Sequence, residues 1–505
     1  MKNKVAILGS GLGGLVCGYI LAKNGYEVIV LEKNNQIGGC LQTFQRKNTK
    51  FDTGMHYIGS MEEGQILHRF FKYLNLLNDV KISRLDTAGY DVISIAGEHY
   101  KFASGYENFV ETLSQQFPQH REEIKLYVKK IREIATASPL YNLQKINNQT
   151  FVETEDIKTG VHEFISSITK NTRLQDVLAG NLPLYGGIKD KTPTYIHALI
   201  NNFYIQSAFR IVGGSDSIAL SLANSIQSFG GKIMTNAEVT KIDCDAEKVT
   251  SVKLSNGDTI EANSFISNIH PQVTLDKIDS PLIRNVYRTR ISELENSISN
   301  FTVYIKFKEN RTPYLNYNYY FYEHNDVWSS QYYDAKKFPE NYLYMHQAVE
   351  DKAVFADSAE LIAYMRYEEV KKWETTPIGN RGSDYLEFKE EKACQLLQKL
   401  EQSFPGINSS IDTYYTSTPL TYRDYTATKE GSMYGIVRDK NFPAQTFVSQ
   451  RTKIPNLFMT GQSINTHGIL GVTVGAIITC AELLGINPIM KQIEQANNEY
   501  FTINN

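Results

Sequence analysis

Residues 4–32 read Lys4-Val-Ala-Ile-Leu8, Gly9-Ser-Gly11-Leu-Gly13-Gly14, an apolar run to Lys23, and then Glu27-Val-Ile-Val-Leu31-Glu32. A short apolar run stopped by glycine reads as a buried strand, and 15–23 reads as a helix. Strand, glycine turn, helix and second strand thus follow in the order of a doubly wound parallel sheet. Within the turn, Gly9, Gly11 and Gly14 hold the spacing G-x-G-x-x-G. The first allows a tight turn, the second lets the backbone approach a pyrophosphate, and the third lets helix and strand pack closely. The helix N-terminus then offers free N–H groups to an anion. At the end of the second strand, Glu32 is placed to accept hydrogen bonds from a ribose diol and would repel a 2′-phosphate, which disfavours NADP.

Outward from this core, Glu32-Lys33-Asn-Asn-Gln-Ile-Gly38-Gly39 supplies a second glycine loop just beyond the acid. A third comes near the C-terminus: Phe458-Met-Thr-Gly461-Gln462, then His467-Gly468-Ile469-Leu470-Gly471, a strand end followed by a glycine-rich helix start. Such a start can aim its dipole at the far end of a long dinucleotide, which suggests FAD rather than NAD. The nearly continuous apolar run 468–486 could just span a bilayer. Its glycines, Thr473, Thr479 and Glu482 favour a helix buried inside the protein instead. A helical block is expected over 106–229, broken by Pro183 and Pro193. A second αβ unit starts at Gly213-Gly214-Ser215, with strands at 238–242, Val249–Leu254 and 265–267. Alternating runs at 301–307, 317–322, 342–349 and 361–367 predict a separate antiparallel sheet. Its tyrosines and tryptophan (Tyr317, Tyr319, Tyr320, Tyr322, Trp328, Tyr333) suit a sheet core or the wall of a tunnel for a long apolar ligand.

Composition excludes several classes. The chain has 505 residues and a net charge of −3 with no basic run, so nucleic acid is not an expected partner. Its five cysteines lie far apart without a C-x-x-C pair, which argues against zinc and a disulfide framework. The apolar run after Met1 is too short for a secretory signal, so a cytoplasmic product is expected. Only one dinucleotide fingerprint is present, and no P-loop, H-E-x-x-H or G-x-S-x-G accompanies it.

The quoted motifs, with Phe51-Asp-Thr-Gly-Met-His-Tyr-Ile-Gly59, Asn236-Ala-Glu-Val239 and Ile266-Ser-Asn268, resemble the phytoene desaturase, carotenoid isomerase and retinol saturase flavoproteins, nearest the bacterial saturase-like branch. That resemblance implies an α/β fold: a glutathione-reductase-like FAD-binding Rossmann domain (1–80, 207–272, 445–490) with an inserted α+β substrate domain (81–206, 273–444) of antiparallel sheet and helical cap. It implies that Val239 meets the adenine through its backbone and that Gly461 and Gln462 lie at the flavin end. The desaturases often carry an acid where this chain has Gln462. The implied activity is FAD-dependent redox chemistry on carbon–carbon double bonds of a polyene or isoprenoid lipid, a saturase first. Alternatives are a desaturase or isomerase, then an amine oxidase or a non-catalytic prenyl-binding escort protein. An electron donor or acceptor must be a separate partner. His56, Tyr57 and His467 are the candidate acids by chain order, and Asp52 is expected to support the loop. A lipid substrate also suggests peripheral membrane contact on the cytoplasmic face through 182–209, where Tyr185, Tyr195, Phe203, Tyr204 and Phe209 would enter the interface.

Overall fold

The strand Lys4–Leu8 lies at the centre of a parallel five-stranded sheet, in the order Lys232–Met234, Glu27–Leu31, Lys4–Leu8, Ser264–Ser267, Leu457–Met459. The structure is a computed structural model and describes residues 3–143 and 154–498. Strand alternation sorts the apolar residues between two faces. Val5, Ile7, Val28 and Val30 pack against helices, whereas Ala6, Leu8, Ile29 and Leu31 join Val239, Ile242, Val252 and Leu254 of a three-stranded meander. Both faces are covered, which is why these strands read as unbroken apolar runs.

The first helix is Leu12–Lys23, three residues longer at its start than expected, with Gly11 as its N-cap and the Leu15 amide donating to the Gly11 carbonyl at 3.0 Å. Glycine is a poor helix former, but here close packing overrides propensity. A Cβ on Gly14 would sit 2.1 Å from the Gly9 carbonyl oxygen. The helix is flanked by Asp216–Ser228 and by Gly468–Leu484, the expected buried helix. Most of that helix is buried, and Glu482, near its end, pairs with Arg451. Among the described residues no helix is long and apolar enough to cross a membrane.

A second sheet has seven strands: Ile411–Ser417, Ser299–Phe307, Ser358–Met365, Asn341–His346, Asn318–Tyr322, Asp91–Ile95 and Glu98–Phe102. The first, sixth and seventh were not expected. The sheet is mixed rather than purely antiparallel, because Asn318–Tyr322 pairs in parallel with Asp91–Ile95, a strand far upstream that no hairpin connects to it. The helices Tyr106–Gln116, Arg121–Ala137, Val161–Ile168, Thr172–Leu178 and Thr194–Gln206 form the cap over one face. The helix Ser383–Ser403 covers the other. Residues 144–153 of the expected helical block lie outside the described residues.

The aromatic stretch takes the sheet-core alternative, and the expectation of membrane-facing aromatics is corrected. Tyr319 and Tyr333 pack toward the long helix, and Tyr320, Tyr322 and Trp328 toward the cap, so this stretch fills two cores instead of walling a tunnel. Aromatic side chains bury large areas, and both faces of this sheet are covered. Tyr185, Phe203 and Phe209 are likewise buried, and Tyr195 and Tyr204 are half-buried, so the segment 182–209 does not offer them to a membrane.

Candidate active site

Three glycine loops meet at the C-terminal edge of the five-stranded sheet, the edge where open α/β sheets bind ligands. Ser10 ties the first to the second: its carbonyl and hydroxyl both accept from the Gly38 amide, at 3.1 and 3.2 Å. Asn268, at the end of a neighbouring strand, is wedged between the first and third. A Cβ on Gly11, Gly13 or Gly461 would fall 2.9, 2.6 and 2.9 Å from its amide group. Gly38 has φ +117° and Gly461 φ +102°, backbone that other residues rarely adopt.

Glu32 is 5% exposed at the rim of the cleft these loops enclose. Its Oε2 accepts from the Ser10 amide (3.0 Å) and hydroxyl (2.6 Å), and its Oε1 from the Asn34 amide (2.9 Å). A carboxylate has about four acceptor sites, so one remains for a diol. Lys33 donates to the Asp424 carbonyl, and burial lowers its pKa against the opposing charges of Glu238, Glu32 and Asp424. Val239 begins a meander strand beside this end, since the Ala237 amide donates to the Glu32 carbonyl at 2.8 Å.

The cleft holds about 1480 Å³ including its open mouth, and it continues from Glu32 past Gly461 and Gln462 to His56, Tyr57 and His467. Gly468 and Ile469 line it. Leu470 turns into an adjacent pocket with Tyr141 and Phe203, and Gly471 packs back on Thr466. Leu184, Tyr204, Met433 and Tyr434 form its apolar wall at the far end; of these the sequence singled out only Tyr204, and for membrane contact rather than for the site. They come from distant segments, and no periodicity marks them.

The three candidate acids differ in their surroundings. His56 lines the cleft with Nδ1 at 3.2 Å from Oε2 of buried Glu360, a close contact without hydrogen-bond alignment. Tyr57 donates to Asp91 Oδ2 at 2.8 Å and lies 2.9 Å from the Tyr320 hydroxyl. Burial, with the Asp91 charge next, raises its pKa well above the ordinary phenol value. The His467 ring lies tilted against Tyr434 with centroids 4.5 Å apart, and among the described residues its Nε2 has no hydrogen-bond partner. Burial pulls His467 down to about 4, the Arg438 charge adding to it and a Leu184 backbone contact opposing. Asp52 supports the loop as expected, its Oδ1 accepting from the Ser215 amide (2.8 Å) and hydroxyl (2.5 Å).

A glycine cradle shaped for a pyrophosphate, a buried acid at the rim and an apolar far end define a flavin-binding oxidoreductase. The sequence model of the family described as flavin containing amine oxidoreductase matches residues 12–484, and the chain belongs to that family. It is 28% identical to the all-trans-retinol 13,14-reductase of Homo sapiens, over 96% of this chain and 86% of the relative. It is 22% identical to prolycopene isomerase 1, chloroplastic, of an Oncidium hybrid cultivar, over 94% and 82%. Among solved structures, an oxidoreductase from Methanosarcina mazei superposes with a TM-score of 0.63 at 18% identity, covering 94% of this chain and 99% of that one.

Proposed function

We propose that this protein is an FAD-dependent oxidoreductase that saturates a carbon–carbon double bond of a polyene or isoprenoid lipid. The observation that carries the reading is the single cleft, which joins a dinucleotide cradle to an apolar chamber with ionisable side chains. The retinol reductase, alike over nearly the whole chain, supports the substrate class.

The residues fit FAD. Gly9, Gly11, Gly13 and Gly14 would leave room for the pyrophosphate, Glu32 would hold the ribose with Lys33 beside it, and the Val239 backbone would face the adenine. Gly38 and Gly39 would flank the chain of the cofactor, while Gly461, Gln462, Gly468 and Ile469 would meet the flavin. In this reading 1–80, 207–272 and 445–490 form the flavin-holding unit. When bound, the flavin supplies two-electron redox chemistry. The protein orients a flat apolar substrate between Tyr204 and Tyr434, keeps water out, and holds a proton at a side chain beside the double bond. A separate donor, a reduced protein or diffusing carrier, replenishes the electrons.

The test is anaerobic incubation of FAD-loaded, chemically reduced protein with all-trans-retinol, followed by mass spectrometry. A gain of two hydrogens supports saturation. An unchanged mass with altered retention points instead to isomerisation, the reading that the prolycopene isomerase likeness favours. Neither product, from protein that holds flavin, counts against both.

A further inference from the structure

We propose that Glu360 is the positioning residue of His56, and that the His56–Glu360 pair delivers the proton that double-bond reduction needs. The proposal rests on the flavin reading above and adds to it the origin of the proton.

The strand Ser358–Met365 places Glu360 where few carboxylates are found. Ala359, Leu361, Ala363 and Met365 enter the apolar cluster beneath the long helix, and the alternation of the strand turns Glu360 to the opposite face. There it is 2% exposed. A buried carboxylate is costly unless paired and hydrogen-bonded. Gln347 Nε2 donates to its Oε1 at 2.6 Å, and the Ser358 hydroxyl donates to the side-chain Oε1 of Gln347 at 3.0 Å. Among the described residues the only ion-pair partner of Glu360 within 4.0 Å is His56, at 3.2 Å.

Asp52, four residues before His56, is pushed up to about 7, first by burial and then by the Glu360 charge. That same charge reaches the Tyr304 and Tyr422 hydroxyls, and Cys40 lies beside Tyr422. Glu360 thus faces one imidazole, that of His56, at ion-pair distance. With Nδ1 turned to Glu360, the ring presents its other edge, Nε2, away from the carboxylate. The rivals are worse placed to give a proton: burial keeps His467 neutral near pH 7, and the Tyr57 hydroxyl is directed at Asp91.

The step balances. The π bond of the alkene breaks; one new C–H bond forms with the hydride of the reduced flavin, and the electron pair left on the neighbouring carbon takes the proton from His56 Nε2. Imidazolium becomes imidazole, Glu360 stays an anion, and two electrons leave the reduced flavin for the substrate.

The experiment uses FAD-loaded holoprotein, with Glu360→Gln, Glu360→Asp, His56→Asn and the double variant His56→Asn/Glu360→Gln. Flavin content is measured by absorbance, and single-turnover reduction of all-trans-retinol is followed across pH. Glu360→Gln is expected to retain flavin yet slow reduction about 10²-fold, the usual worth of a positioned acid. Because Glu360 acts through His56, the pH profile of the rate should change as well, and Glu360→Asp should restore part of the rate. The double variant should be no slower than His56→Asn alone, since Glu360 acts through His56. Rates and pH profile unchanged in Glu360→Gln, or losses that multiply in the double variant, would overturn the pair. Wild-type protein that holds flavin but reduces no retinol would be failure of the functional reading. In that case the chemical shift of the ¹³Cε1-labelled His56 imidazole decides: an altered pH response in Glu360→Gln supports the pair, an identical one overturns it.

Discussion

At the scale of single residues, burial of charge carries most of the information. Asp91 lies in the core, accepting from Tyr57 and from Asn318 Nδ2 at 2.8 Å each. Burial pushes its carboxyl from 3.8 to about 7, against those two hydrogen bonds and the Arg210 charge. Between these values the folded chain keeps a proton that the unfolded chain releases, so acid favours folding. This contribution is present below about 4 and is lost as the pH rises through about 7. Asp91→Asn, which cannot ionise, is therefore expected to lose less thermal stability than wild type between pH 4 and 7, read as the unfolding midpoint by circular dichroism. An equal fall in both would contradict the assignment. Glu360 could have been noticed in the sequence, because a lone carboxylate interrupts the apolar run Leu361-Ile-Ala-Tyr-Met365 at its edge. What could not be read was that it meets His56, about three hundred residues away in the chain.

Among the elements, the helix Leu12–Lys23 was legible almost entirely, since two short apolar strands that pair in parallel need a crossover, and a helix supplies it. Its early start at Leu12 was not, because helix propensity disfavours Gly13 and Gly14 and only contact with Asn268 and the strand explains them. Gly14→Ala would force a methyl group to within 2.1 Å of the Gly9 carbonyl unless the helix lifts. The expected outcome is a loss of roughly 1–3 kcal/mol of stability, the usual cost of overpacking, together with weaker flavin retention. Urea unfolding and flavin absorbance measure the two, and wild-type values for both would refute the packing argument. The strand Asp91–Ile95 escaped the sequence reading for the opposite reason: its parallel partner, Asn318–Tyr322, is distant, and short apolar runs carry no address for such a neighbour.

On the scale of the whole molecule, the cleft draws its walls from both ends and the middle of the chain. Glu32, His56, Asn268, Tyr434 and Gln462 all line it. A ligand that binds only the assembled cleft must stabilise the fold by mass action, about 2.7 kcal/mol at a hundredfold excess over its Kd. Added FAD should accordingly raise the unfolding temperature of flavin-stripped protein. In Glu32→Ala the rise at equal FAD should be smaller, the lost ribose hydrogen bonds being worth about 1–3 kcal/mol. An equal shift in the two would remove Glu32 from the site.

The sequence by itself determined the cradle, because a pyrophosphate turn constrains local backbone and local backbone is written in consecutive residues: Gly9 to Gly14, Glu32, Gly38, Gly39. It also determined the character of the final helix, whose lack of a polar face demands burial. Only the tertiary structure decided which tyrosines fill cores and which face the cleft, and which acid stands behind which histidine. Side-chain partnership depends on how two sheets and their covering helices stack, and neighbouring positions along a strand are sent to opposite faces.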